Sequence, residues 1–259
     1  MIFKNNFITY LSYIMKQTIT LTFSESVENH TGMEIIGVKS DTGISAEKCI
    51  QLAKRYNGLI YDLSSLVPEE TKEACVVVLK DGLKKIFGID KDKLYEEQAS
   101  LEVDKKAFMY GRVVNKKARH NLCYGDVYRA PDYANKKGTI IAFDDVPILN
   151  DVRENLSLFG REFDDLYAEG NFYYDVEKCY IGFHGDTERS KVVGVRLGED
   201  FPLHFKWYKS GEETPYEITI PLSGGDIYIM SEKATGNDWK KRKEKWTLRH
   251  AAGDKKNLK

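Results

Sequence analysis

Residues 180–198 read YIGFHGDTERSKVVGVRLG, and this stretch decides how the chain is built. A short apolar run, 180–183, ends in His184-Gly185-Asp186. Polar residues follow, and a second run rich in valine, 192–197, closes at Gly198. Runs of about four to eight β-branched and aromatic residues bounded by turn residues are strands. Working outward, further runs of this kind fall at 170–174, 203–208, 217–221, 226–230 and 246–250. Turn formers separate them: Gly198, Pro202, Gly211, Ser223-Gly224-Gly225 and Gly236-Asn237. Many short strands at close spacing predict an all-β sandwich or barrel.

The earlier part of the chain is more mixed. Residues 17–24 (QTITLTFS) alternate and predict a strand. Residues 45–56 carry Ser45 as an N-cap, an early Glu47 and apolar Cys49, Leu52 and Ala53, the pattern of a short amphipathic helix. A second helix is expected to open at 68–70, with 74–79 (ACVVVL) either its buried continuation or a strand. The charged stretch 90–101 reads as helical. So does 146–158, with Asp145 as its N-cap and Pro147 in its first turn. With no sharp linker, residues 1–105 are expected to form an α/β extension packed on a core made by 106–259. The fold class expected is α+β, mainly β.

Hydrophobic residues make up 42% and charged residues 31%, which excludes a disordered or fibrous chain. A net charge of −1 gives no global field for a polyanion, so any nucleic-acid surface must come from local clusters. Cys49, Cys75, Cys123 and Cys179 are widely spaced, without a C-x-x-C pair. That argues against a zinc ribbon or disulfide framework and for a reducing compartment. No apolar run approaches the roughly 18 residues of a membrane helix. The first fifteen residues are too interrupted by Asn5, Asn6, Thr9 and Ser12 for a secretion signal. The expectation is an intracellular protein of cytoplasm or nucleus, not secreted and without a membrane partner; its oligomeric state is left open.

The chemistry lies in the first stretch quoted. On extended chain, side-chain direction repeats every two residues, so His184 and Asp186 face the same way. A third ligand has to come from a distant strand, and the run 246–250 ends in His250. Two neutral imidazoles and one carboxylate leave three adjacent coordination positions open, the facial arrangement of non-haem Fe(II) oxygenases. The open positions suit a 2-oxo acid, which takes two, and dioxygen, which takes the third. With five histidines in the chain, H-x-D alone is a weak signal; its position after a strand, and a histidine ending the last strand, strengthen it.

The region from Gly111 to His250 resembles the AlkB-like 2-oxoglutarate/Fe(II)-dependent dioxygenase family. The matching pieces occur in family order: Tyr124-Gly125-Asp126, Asn171-Phe172-Tyr173, Ile181-Gly182-Phe183-His184-Gly185-Asp186, Leu197-Gly198, Gly225-Asp226 and His250. The resemblance implies a jelly-roll (double-stranded β-helix) core with supporting helices. It implies an oxidoreductase with His184, Asp186 and His250 as catalytic iron ligands, using Fe(II), 2-oxoglutarate and dioxygen. Asn171 and Tyr173 would hydrogen-bond 2-oxoglutarate, with Tyr174 as the competing candidate. The family's arginine beyond the distal histidine is missing here. The far carboxylate of 2-oxoglutarate is left to Arg196, Arg249, Lys255, Lys256 or Lys259.

In that family the segment before Y-G-D covers a flipped nucleobase. Here, residues 111–126 (GRVVNKKARHNLCYGD) carry Arg112, Lys116, Lys117, Arg119 and His120, with Tyr110, Tyr124 and Tyr128 interleaved. A second basic run, 239–246 (WKKRKEKW), precedes the strand of His250. Cations among aromatics suit a phosphate track with stacking platforms. The substrate set is thus Arg112, Arg119, Tyr124, Asp126, Arg189, Lys241 and Arg242, and the partner a nucleic acid. The reaction would be hydroxylation or oxidative demethylation of a base, as in nucleic-acid modification or DNA repair. The alternatives are the same chemistry on a protein side chain or small molecule, and a non-enzymatic jelly-roll binding module.

Overall fold

The computed structural model of the chain describes residues 17–241 and 245–258. The N-terminal segment, Arg242 and Lys259, all invoked above, lie outside the described residues. In chain order the strands are β1 (Thr18–Ser24), β2 (Ser26–Glu28), β3 (Ile35–Gly37), β4 (Leu59–Asp62), β5 (Cys75–Leu79), β6 (Lys106–Met109), β7 (Arg112–Asn115), β8 (His120–Gly125), β9 (Ile140–Ala142), β10 (Tyr167–Tyr173), β11 (Ile181–His184), β12 (Val192–Gly198), β13 (Leu203–Lys209), β14 (Glu212–Ile220), β15 (Ile227–Met230) and β16 (Trp246–Ala252). The α-helices are α1 (Ala46–Tyr56), α2 (Lys91–Ala99) and α3 (Pro147–Asn155).

A large sheet runs β4-β5-β15-β12-β1-β10-β8-β9, and a smaller one runs β11-β16-β13-β14. Pairing is antiparallel except between β8 and β9. The protein is therefore mainly β, with few helices. Period-two alternation sorts each central strand between two cores. Ile19, Leu21 and Phe23 of β1, with Val193, Val195 and Leu197 of β12, meet Leu52, Leu94 and Leu149 of the helices. On the other face, Val192, Tyr173, Tyr228 and Met230 meet Phe205, Trp207, Leu248 and Ala252 of the small sheet. The large sheet is thus covered by helices on one side and by the small sheet on the other, and the space between the sheets is where polar residues collect.

The boundary expected at residue 105 has no counterpart in the large sheet. β1 lies in its middle, with Thr20 opposite Asn171 on one side and Arg196 on the other, and β4 and β5 form one edge. Residues 18–79 thus supply three strands of that sheet. The helix expected at 68–70 is a run of bends, and 74–79 resolves to strand β5. At α1 the local reading holds: Ser45 Oγ accepts from the Lys48 N–H. At α3 it does not. The N-cap is Val146 rather than Asp145, and Glu97 of α2 accepts from the N–H groups of Ile148 and Leu149 at 2.8 and 3.1 Å. A carboxylate from a neighbouring helix satisfies donors that a local side chain usually caps. Among the described residues no helix is long and apolar enough to cross a membrane. The four cysteines are buried free thiols.

Candidate metal centre and its pocket

Antiparallel pairing of β11 with β16 sets His184 directly opposite His250. Asp186 follows just beyond β11, its N–H bonded to the Thr235 carbonyl at 3.0 Å. Asp186 Oδ1 lies 3.7 Å from His184 Nε2 and 3.8 Å from His250 Nε2, and the two imidazole rings are 4.4 Å apart. One ligand atom from each of the three residues falls within 4.8 Å of the others. Between His184 and Asp186, only glycine fits. A Cβ on Gly185 would sit 2.2 Å from the Gly236 carbonyl and 2.5 Å from Trp239 Cδ1.

Burial dominates the electrostatics of the cluster. His184 donates from Nδ1 to the Gly182 carbonyl at 2.8 Å, which leaves the Nε2 lone pair facing Asp186. Burial pulls His184 down to about 4 and His250 well below the usual imidazole range. Burial also pushes the Asp186 carboxyl up to about 8, against the nearby Arg189. Desolvation, with smaller contributions from neighbouring charges, favours the neutral form of all three groups, and a divalent cation would favour the ionised carboxylate. Two neutral imidazoles and a carboxylate, buried and convergent, fit a borderline or hard divalent ion such as Fe(II).

These three residues line a pocket between the sheets. Thr20, Asn171, Tyr173, Arg196 and Tyr228 form its large-sheet wall, and His30, Arg119, Trp239 and Lys240 lie toward its exposed rim. Arg196 is fully buried. Its Nη1 donates to Thr20 Oγ1, its guanidinium lies 5.2 Å over Phe201, and Nε and Nη2 have no hydrogen-bond partner among the described residues. Desolvation lowers its pKa. Lys256 instead lies exposed in an ion pair with Asp254 at 3.0 Å, and Lys255 pairs with Glu217. Arg249 is sandwiched between Tyr208 and Trp239, at 3.7 and 4.8 Å. Of the described basic candidates for a carboxylate partner, Arg196 is the one lining the pocket; the expectation for Lys256 is overturned.

Strand alternation separates the two tyrosines. Tyr173 is buried in the pocket wall, its hydroxyl pushed up to about 12 by burial. Tyr174 points away, stacked on His120 with its hydroxyl donating to the Lys117 carbonyl. Asn171 lines the pocket, but its amide is largely committed. Oδ1 accepts from Arg119 Nε at 2.6 Å and Asn121 Nδ2 at 2.8 Å, and Nδ2 donates to Glu169 Oε1 at 3.0 Å.

The substrate set expected from sequence divides. Arg119 lines the pocket. Arg112 is exposed on β7, away from it, and Lys241 lines a separate groove with Lys72 and Asp238. Asp126 pairs with Arg153 at 3.1 Å. Tyr124 is fully buried on the helix side of the sheet and donates to Gln98 Oε1, so it packs the core rather than facing a ligand. Tyr124→Phe should cost about 1–3 kcal/mol by stranding Gln98. Denaturant titration would read that loss, with metal binding unchanged. Lys116 is likewise internal, its ammonium bonded to Asn29 and Asn121. Arg189 also lines the pocket, where it is buried and held by Glu169 and Glu188.

Sequence reading missed Thr20, Tyr228 and Glu169 of the pocket wall, and the rim residue Trp239 appeared only as one end of a basic run. The alternation of β1 signalled Thr20; nothing local signalled which strand it would face. It also missed Glu28, whose carboxyl burial raises to about 7, with Glu188 and Glu169 adding to the rise. A carboxyl raised on folding stabilises most below its ordinary value, and that contribution is lost as pH rises through 7. Glu28→Gln should therefore raise the thermal midpoint at pH 8 and leave it unchanged at pH 4, as followed by circular dichroism.

Fold and site together define a mainly β protein with a buried His-Asp-His cluster in an inter-sheet pocket. No family model matches the chain. It is 44% identical over 248 residues to the uncharacterized protein R156 of Acanthamoeba polyphaga mimivirus, an alignment covering 92% of this chain and 96% of that protein. The chain belongs to the family of that viral protein.

Proposed function

We propose that this protein is a 2-oxoglutarate- and Fe(II)-dependent dioxygenase of the AlkB-like kind, with the two sheets forming a double-stranded β-helix. One observation carries the reading: the convergent His184, Asp186 and His250 share a pocket with a buried arginine, two of whose nitrogens have no hydrogen-bond partner among the described residues. When bound, iron and 2-oxoglutarate supply activation of dioxygen, with the oxo acid leaving as succinate and carbon dioxide and one oxygen atom passing to the substrate. The chain does the rest. His184, Asp186 and His250 hold the ion. Arg196 takes the far carboxylate of the oxo acid, assisted by the Thr20 hydroxyl, with Tyr173 and Tyr228 as neighbouring hydroxyl groups.

The substrate is a methylated or alkylated nucleobase entering past Trp239, Lys240 and Arg119. An aromatic face flanked by cations suits a base that has left its stack. A second reading, the same chemistry on a protein side chain or small molecule, is favoured by the internal commitments of Lys116 and Arg119.

The test is succinate release by the purified chain with Fe(II), 2-oxoglutarate, ascorbate and air, with and without methylated single-stranded DNA. The expected result is iron-dependent turnover that rises with the oligonucleotide. Turnover indifferent to it would keep the chemistry and overturn the nucleobase substrate. No turnover by folded, iron-loaded protein across nucleic-acid, peptide and small-molecule pools would overturn the oxygenase.

A further inference from the structure

We propose that Arg189 is a positioning residue that fixes which oxygen of Asp186 meets the metal; the inference rests on the metal-centre reading above. A carboxylate's terminal torsion is broad and two-fold, so its two oxygens are equivalent unless a neighbour distinguishes them. Here a neighbour does. Oδ1 faces both histidine Nε2 atoms, at 3.7 and 3.8 Å, while Oδ2 faces Arg189 Nε at 3.7 Å. Arg189 is itself immobilised. Its Nη2 donates to Glu169 Oε2 at 2.8 Å and to Glu188 Oε1 at 2.6 Å, and its Nε donates to Glu188 Oε1 at 2.9 Å.

Glu169 comes from the opposite sheet. It sits on β10, and the amide of Asn171, two residues along the same strand face, holds its other oxygen at 3.0 Å. The guanidinium therefore registers the ligand strand of the small sheet against the wall of the large one. Its charge would repel a dication, and two carboxylates on one guanidinium offset that. The assembly Glu169–Arg189–Glu188 carries a net charge of −1 beside the ion. Outer groups that orient a ligand typically govern metal affinity by about 10–100-fold.

The experiment is titration of the metal-free full chain with Co(II), read by visible ligand-field absorption, with Mn(II) calorimetry as a second probe. Two variants are used: Arg189→Lys, which keeps the charge but loses the fork, and the triple variant Glu169→Gln, Glu188→Gln, Arg189→Met, which leaves no buried charge unpaired. Both should bind Co(II) about 10–100-fold more weakly, with altered absorption bands, while the metal-free thermal midpoint of the triple variant stays near that of wild type. A purely structural arginine would move that midpoint and leave the spectrum alone. Folded variants that bind Co(II) as tightly as wild type, with the same bands, would overturn the role of Arg189. If wild type itself fails to bind, or His184→Ala binds equally well, the metal centre falls instead.

Discussion

Arg196→Met should weaken 2-oxoglutarate binding by about 100-fold or more and, in the same protein, raise the thermal midpoint. The two effects have one cause. Arg196 lies in the middle of the large sheet, fully buried; its guanidinium donates to Thr20 Oγ1, and among the described residues Nε and Nη2 have no hydrogen-bond partner. Burial disfavours the charged form of this guanidinium, against the nearby Tyr228, Tyr173 and Asp226, and replacing buried charged groups by well-packed apolar side chains is often neutral or stabilising by about 1–4 kcal/mol. Methionine also keeps contact with Phe201, over which the guanidinium now lies. What is lost is the charge-assisted pair to a carboxylate, worth about 1.5–3 kcal/mol per bond, so affinity for the oxo acid should fall by about 100-fold or more. Calorimetric titration of 2-oxoglutarate into Mn(II)-loaded protein, beside a thermal melt, reads both. Unchanged oxo-acid affinity would remove Arg196 from the site. A lowered midpoint would show that the guanidinium serves the fold.

The second large effect is on the ion. Asp186→Asn and His184→Ala should each weaken divalent metal binding by more than the roughly 10–100-fold typical of losing an outer partner. Both should stop iron-dependent succinate release. Asparagine keeps the shape of the side chain while removing its negative charge. It replaces a carboxyl that burial already holds largely neutral, so the metal-free protein should fold normally. His184 is the more exposed of the two histidines and lies across the strand pair from His250. Metal titration with a folded Asp186→Asn variant therefore separates loss of a ligand from loss of structure. Retained affinity in that variant would exclude Asp186 as a ligand.

Much of this site was legible because its signals are local. The H-x-D pair needs only the two-residue repeat of a strand to put both side chains on one face, and His184-Gly185-Asp186 does so beside a glycine that packing requires. The same repeat distinguishes Tyr173 from Tyr174 once the strand is placed, although sequence alone left both open. The substrate set was less legible for the opposite reason: Arg119 and Arg189 line the pocket, and others of the set lie elsewhere. A basic or aromatic residue reads the same whether it faces solvent, a ligand or another part of the chain. Tyr124 went to the core, Lys116 to a cluster of amides, Asp126 to Arg153 and Arg189 to two glutamates. The cap of α3 was misread because its acceptor, Glu97, belongs to another helix.

By itself the sequence determined the strand-rich character of the chain, the capped helix α1, the alternation within β1, and the placing of His184 and Asp186 on one face. These follow from periodicities and capping that act over a few residues. Only the tertiary structure decided that β1 lies between β10 and β12, that His250 stands opposite His184, and that Arg196 rather than Lys256 reaches the pocket. Strand partners and the sharing of buried charge are set by which surfaces exclude water together, and that depends on residues far apart in the chain.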